Sequence, residues 1–244
     1  MKAIKINRCV SILACVLLAT TGFAAEADAI IARARAFLGS EAALDSVKSI
    51  RYAGTISEGT ELRGTIVITL KKPFQQRIER TIGDECEVTA LDGFDGWSRS
   101  ENLKNPEEIR LTLLPGEHIK RLQANNVENL NFFRGTNRRG GKVEVRGDAT
   151  VDDVACVKVV FIHGPDIEFI RYFDKATGRL VMTETEKGGQ IRERGERIVS
   201  GIRFPTSLES TFDDHTVLIT FDSIEVNGDY PDSLFAVPSV MLVP

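Results

Sequence analysis

Apolar positions recur at every second residue from Ser49 onward. Ile50, Tyr52, Gly54 and Ile56 share one face, and Gly64, Ile66, Ile68 and Leu70 continue the pattern on the next segment. Arg63, Thr65, Val67 and Thr69 fall on the opposite face. A period of two with one apolar side predicts antiparallel strands burying one face. Lys71-Lys72-Pro73 ends the second strand, because proline has no N–H to give to a ladder. Residues 74–82 and 85–91 predict two more strands joined through Gly83-Asp84, and Leu91 to Trp97 predicts a tight turn into a short strand.

Three segments carry a helical rather than a strand pattern. Residues 28–38 contain good helix formers, with Asp28 as N-cap, Ile30, Ala34, Phe37 and Leu38 on one side, and Gly39 as the stop. A short helical piece is expected over 41–47. Residues 114–133 place Leu114, Ile119, Leu122, Val127, Leu130 and Phe133 three to five apart, which predicts an amphipathic helix covering something apolar. Strands then return over 142–151, 155–162, 167–173, 180–186, 191–199, 204–212 and 217–226. Turn residues such as Asp152-Asp153, Gly188-Gly189 and Asp213-Asp214 separate them. About eleven strands in one meander must curl rather than stay flat. The expected fold is mainly β with helices (α+β): a strongly curved antiparallel sheet or incomplete β-barrel covered by helices.

The N-terminus adds a destination. Lys2, Lys5 and Arg8 precede the apolar run from Val10 to Ala19, and small residues follow through Ala24 and Ala27. This order predicts a signal peptide over 1–24, cleaved near Ala24 or Ala27, and export to the periplasm. Lipidation at Cys15 is weaker, because the apolar run continues past that residue. Removing residues 1–24 takes away three basic and no acidic residues, which moves the formal net charge from −4 to −7. An acidic chain without a basic arm gives no reason to expect nucleic acid as a partner. The remaining residues, 25–244, carry no linker or repeat and are read as a single domain and a monomer. Cys86 and Cys156 remain after cleavage, and the sequence leaves open whether they are bonded or buried thiols.

Catalytic patterns are absent from the chain. There is no nucleophile elbow, phosphate-binding loop, zinc-protease helix or dinucleotide fingerprint. His118, His163 and His215 are scattered without ligand spacing, so no metal and no cofactor is expected. Asp92-Gly-Phe-Asp95-Gly96 lacks the alternating donors of a calcium loop and reads as a turn. Arg192, Glu193, Arg194, Glu196 and Arg197 read as cross-strand ion pairs on a solvated face, with a docking surface as the alternative. Function therefore falls to the apolar inner face. Its candidate lining is Ile66, Ile68, Leu70, Phe74 and Ile78 from early strands, Leu122, Leu130 and Phe133 from the amphipathic segment, and Phe169, Met182, Ile219 and Phe221 from late strands. A site of this kind needs no catalytic residue, since affinity comes from shape and from ~0.8 kcal/mol per buried methylene.

Three stretches resemble one family. Gly64 to Phe74 is similar to its strand ending in basic residues, proline and an aromatic. Leu91 to Trp97 resembles its Asp-Gly turn before tryptophan, and Arg171 to Leu180 resembles a hairpin common in related exported proteins. Together with the order of elements, they resemble the LolA/LolB-like periplasmic lipoprotein carriers. That resemblance implies an incomplete barrel with a helical lid over an apolar cavity. It also implies a ligand such as an acyl chain, lipid or lipidated protein, possible work in lipoprotein sorting to the outer membrane, and no enzymatic activity. A non-catalytic module docking on a membrane-bound envelope protein is the alternative on the same fold. The family closes its cavity with an arginine before the proline of that strand end. Here Lys72 stands there, a mouth residue without arginine's planar fork.

Overall fold

A computed structural model describes residues 13–59, 62–213 and 215–239; of the signal peptide expected over 1–24, residues 1–12 lie outside the described residues. Helices α1 (Leu13–Leu38) and α2 (Glu41–Asp45) lead into strands β1 (Ser49–Glu58), β2 (Leu62–Lys71), β3 (Gln75–Ile82), β4 (Glu85–Asp92), β5 (Asp95–Asn102) and β6 (Asn105–Leu113). Helix α3 (Gly116–Leu130) follows, and then β7 (Lys142–Val151), β8 (Val154–Gly164), β9 (Ile167–Asp174), β10 (Leu180–Thr185) and β11 (Gln190–Arg194). A small hairpin of β12 (Arg197–Val199) and β13 (Ile202–Phe204) precedes β14 (Ser207–Phe212) and β15 (His215–Val226).

Thirteen strands form one antiparallel sheet in the order β6-β5-β4-β3-β2-β1-β15-β14-β11-β10-β9-β8-β7. Strand β15 thus joins two six-stranded wings, and β6 and β7 remain as open edges. Its close pairing with β1 depends on Gly54, which sits at a bulge. A Cβ there would lie 1.9 Å from the Thr220 carbonyl oxygen. The chain crosses from one edge to the other through α3, which lies over the concave face. Gln123 Nε2 donates to the Gly93 carbonyl (2.8 Å), and Asn126 Nδ2 donates to the Gln75 carbonyl (2.8 Å), tying α3 to one wing. On the other wing Arg121 donates to the Asp166 carbonyl (2.8 Å) and pairs with Glu186.

The core sits between this face and the helices. Leu44, Val47, Ile50, Leu70, Leu130, Phe132, Ile202, Phe204 and Phe221 pack under α2 and the end of α3. Ile31, Ala34, Phe133, Phe161, Phe169 and Phe173 pack where α1 meets β7 to β9. Arg35 locks these parts together. Its Nη1 donates to the carbonyls of Asn131 (3.0 Å) and Phe132 (3.1 Å), and its Nε and Nη2 bind Glu41 and Asp45. A cation just beyond the C-terminus of α3 is also favoured by the helix dipole.

Several elements differ from the sequence-based expectation. Helix α1 spans Leu13–Leu38, so Asp28 lies mid-helix and caps nothing; the Ala-Ala-Glu-Ala stretch just before it consists of good helix formers. Strand β6 was not foreseen, because this edge strand is exposed on most of its length and shows no alternation. The helix expected to reach Phe133 stops at Leu130, and Phe132 and Phe133 turn back with φ of 48° and 72°. Residues 191–199 are not one strand. Gly195 at φ 66° breaks them into β11 and β12. Cys86 and Cys156 are both free buried thiols, on β4 and β8. In the C-terminal tail Phe235 is fully buried, and its carbonyl accepts from Trp97 Nε1 at 2.8 Å.

Candidate functional site: an apolar cavity with a charged end

Beneath the C-terminal half of α3 the sheet leaves a cavity of about 240 Å³. Register explains its lining, because directly paired residues share a face. Ile78, Ile68 and Tyr52 are successive partners on β3, β2 and β1. Phe221 on β15 and Leu208 on β14 carry the apolar surface onward, and Tyr52 packs on Phe221 with ring centroids 4.8 Å apart. Beyond Leu208 the character changes. Its partner on β11 is Glu193, and the paired series Ile191, Thr183 and Arg171 follows on β11, β10 and β9.

Arg171 is held by a buried network. Its Nη1 donates to Glu128 Oε2, while His163 Nε2 lies 2.6 Å from Glu128 Oε1 and Thr136 Oγ1 donates to that oxygen at 3.1 Å. Phe133 and Phe161 lie against the guanidinium, with centroids 4.7 and 4.9 Å away. Arg171 Nε is buried and has no partner among the described residues. Burial alone would raise the Glu128 carboxyl, but the Arg171 charge and the bonds from His163 and Thr136 outweigh it and hold it below its usual range. Glu193 goes the other way. Burial pushes it up, and Arg171 and Arg179 offset this only in part.

Of the twelve residues proposed from sequence, Ile68, Leu70, Ile78, Phe133, Phe169 and Phe221 line this cavity. Leu130 is buried in the core beside it, and Ile219 packs on the same core. Ile66 is buried further along β2, and Leu122 is only partly buried on α3; neither reaches the lining. Met182 faces the opposite side of the sheet, with Cys156 and Tyr172. A bulge between Leu180 and Met182 shifts the alternation, so Leu180 and Thr183 point inward instead. Phe74 stands on a wider open hollow between α3 and the β8–β9 turn, under Arg139, whose guanidinium lies 3.9 Å from its ring centroid. Lys72 lines another open hollow with Asp45 and Arg134, not the apolar cavity, and burial lowers its pKa.

Sequence reasoning missed Tyr52, Glu128, Arg171 and Glu193 as lining residues. Arg171 and Glu193 do fall on the inward phase of their strands, a signal that charge obscures. Among the remaining charged residues of that run, Arg192 and Arg194 pair with Asp152, Arg194 also with Glu209, and Glu196 with Arg203, as expected, whereas Arg197 donates to the Asp222 carbonyl. Among the described residues no group of three or more His, Cys, Asp or Glu is placed to hold a metal ion.

A half-open antiparallel barrel with a helix laid across its concave face defines the class of fold. Comparison with solved structures identifies it as LolA-like. A DUF1329 family protein from Desulfovibrio piger aligns with TM-score 0.54 at 12% identity, covering 86% of this chain and 96% of that one. A LolA superfamily protein from Nitrosomonas europaea aligns with TM-score 0.52 at 11% identity, over 86% and 97%. A putative outer membrane lipoprotein-sorting protein domain from Vibrio parahaemolyticus gives TM-score 0.54 at 8% identity, again over 86% and 97%. No family model and no curated protein matches the sequence.

Proposed function

We propose that this protein is an exported, non-catalytic carrier or sensor that shields an apolar ligand, an acyl chain of a lipid or of a lipidated protein, in the half-barrel cavity. The observation that carries the reading is the continuous apolar row Ile78, Ile68, Tyr52, Phe221 and Leu208 facing an unfilled space under α3. The lipoprotein-sorting domain among its structural neighbours agrees with that cargo class. Residues 1–24 act as the leader to the periplasm and 25–244 as one domain.

The test is uptake of a hydrophobic fluorescent probe by detergent-free protein, with native mass spectrometry and lipid extraction alongside. Leu208→Trp, which fills the cavity from β14, is expected to weaken uptake at least tenfold while the circular dichroism spectrum stays the same. Wild-type protein that takes up no probe and carries no lipid would overturn the reading. A second reading is a docking module for a membrane-bound envelope protein. Exposed Ile198, Phe212 and Leu218 close to the charged strands favour it. In that case charge reversal at Arg192 and Arg194 abolishes capture of the partner from envelope extract, and probe uptake is unaffected.

A further inference from the structure

The cavity is not uniformly apolar, and its polar groups stand at one end. Three of them have bonding capacity unused by the protein. Arg171 has a side chain only 8% exposed, and its buried Nε–H points to no acceptor among the described residues. The Tyr52 hydroxyl makes no side-chain hydrogen bond among the described residues, and desolvation together with nearby Glu193 raises its pKa, which keeps it protonated. The partly buried Glu193 carboxyl likewise has no hydrogen-bond partner among the described residues; desolvation pushes its pKa up, and in its protonated form it can donate. A buried donor without an acceptor, such as Arg171 Nε, costs about 1 to 3 kcal/mol, and its place beside two further unpaired polar groups on the cavity wall points to a group that satisfies them.

The missing group is an acceptor. A phosphate would bring up to two negative charges beside Glu128 and Glu193, while Glu128 already balances Arg171. An ammonium would present donors to the donors of Arg171 and Tyr52. A carbonyl fits, since it accepts without adding a second full charge. We propose that the cavity binds an acyl chain by its carbonyl end, a carboxylic ester or an uncharged carboxyl held by Arg171, Tyr52 and Glu193, with the alkyl chain running along Ile68, Leu70 and Phe221. This rests on the acyl-binding reading above and specifies which way round the ligand lies. The volume of about 240 Å³ is just below the usual ~300–1,000 Å³ of small-molecule sites, which suits one short chain.

The experiment is displacement of a hydrophobic fluorescent probe from the full protein by decanoic acid, methyl decanoate, decylammonium and decane. Decanoic acid or its ester should displace the probe at concentrations at least tenfold below decane, and decylammonium should gain nothing over decane. Acid stronger than ester identifies a free fatty acid as ligand; equal strength identifies an acyl ester. Tyr52→Phe keeps the ring packing and Glu193→Leu keeps the volume. Each should reduce the carbonyl advantage by roughly three- to tenfold, the value of one hydrogen bond, and leave decane unchanged. Decane equal to the acid in the wild type, decylammonium as the best ligand, or a preference surviving both substitutions would overturn the orientation while leaving the carrier reading intact. Failure of every compound, decane included, would overturn both.

Discussion

Arg35 and Arg171 have side chains 1% and 8% exposed, and each joins a helix to its surroundings, yet their settings differ. Arg35 gives its donors to two backbone carbonyls and to Glu41 and Asp45, carboxylates that stay half open to water. Arg171 faces a carboxylate with no exposure at all, rests on phenylalanine rings and leaves Nε idle beside an empty volume. The first arrangement is closed and structural. The second spends part of its bonding capacity on holding α3 and keeps the rest at the cavity. Burial alone does not separate the two; the count of satisfied donors does.

Breaking the second region should cost most. Glu128→Gln leaves the Arg171 charge uncompensated in the interior and is expected to lower stability by about 3 kcal/mol, measured by urea unfolding. If it costs no more than a surface change, the network is not holding α3. Arg35→Met should cost less, about 2 kcal/mol, because Glu41 and Asp45 can rehydrate and the loss falls mainly on the Asn131 and Phe132 carbonyls. In contrast, Glu193→Gln should stabilise the protein by up to ~1 kcal/mol at pH values where Glu193 is ionised, since it removes the cost of a desolvated carboxylate.

Titration sharpens the same contrast. Glu128 is depressed in the folded state, so its contribution is complete above the ordinary carboxylate range near pH 4.3 and is lost as pH falls through its lower folded value. Glu193 is raised, so stability declines as pH rises from about 4.3 through its folded value. Thermal unfolding as a function of pH should lose the acid limb in Glu128→Gln and the decline above it in Glu193→Gln. Identical curves for both variants and the wild type would show that neither carboxylate is coupled to the fold.

Period-two alternation made β1 to β4 and β7 to β9 legible in the sequence, and with them the curved sheet. It also placed Ile68, Leu70 and Ile78 correctly, because an unbroken strand preserves face assignment. Met182 defeated the same rule, because one bulge inverts the faces beyond it. Edge strand β6 was illegible for lack of a buried side to alternate. Glu193 was grouped with its charged neighbours, yet Arg192 and Arg194 take the outward phase that it does not. The site's polar end depends on pairing between distant strands, which no local window contains.

The position of β15 has a consequence for assembly. Among the described residues the strand that joins the wings is the last, and its partner β1 is the first. Each wing can zip up locally from hairpins, but the seam between them closes only after almost the whole polypeptide has emerged. Such non-local closure is slow, because loop entropy is lost before contacts repay it. Until then β1 and β14 present bare edges, and the two walls of the cavity belong to separate pieces. A chain built this way has no complete cavity until β15 has docked on β1, so anything that occupies the cavity enters a protein that is already folded.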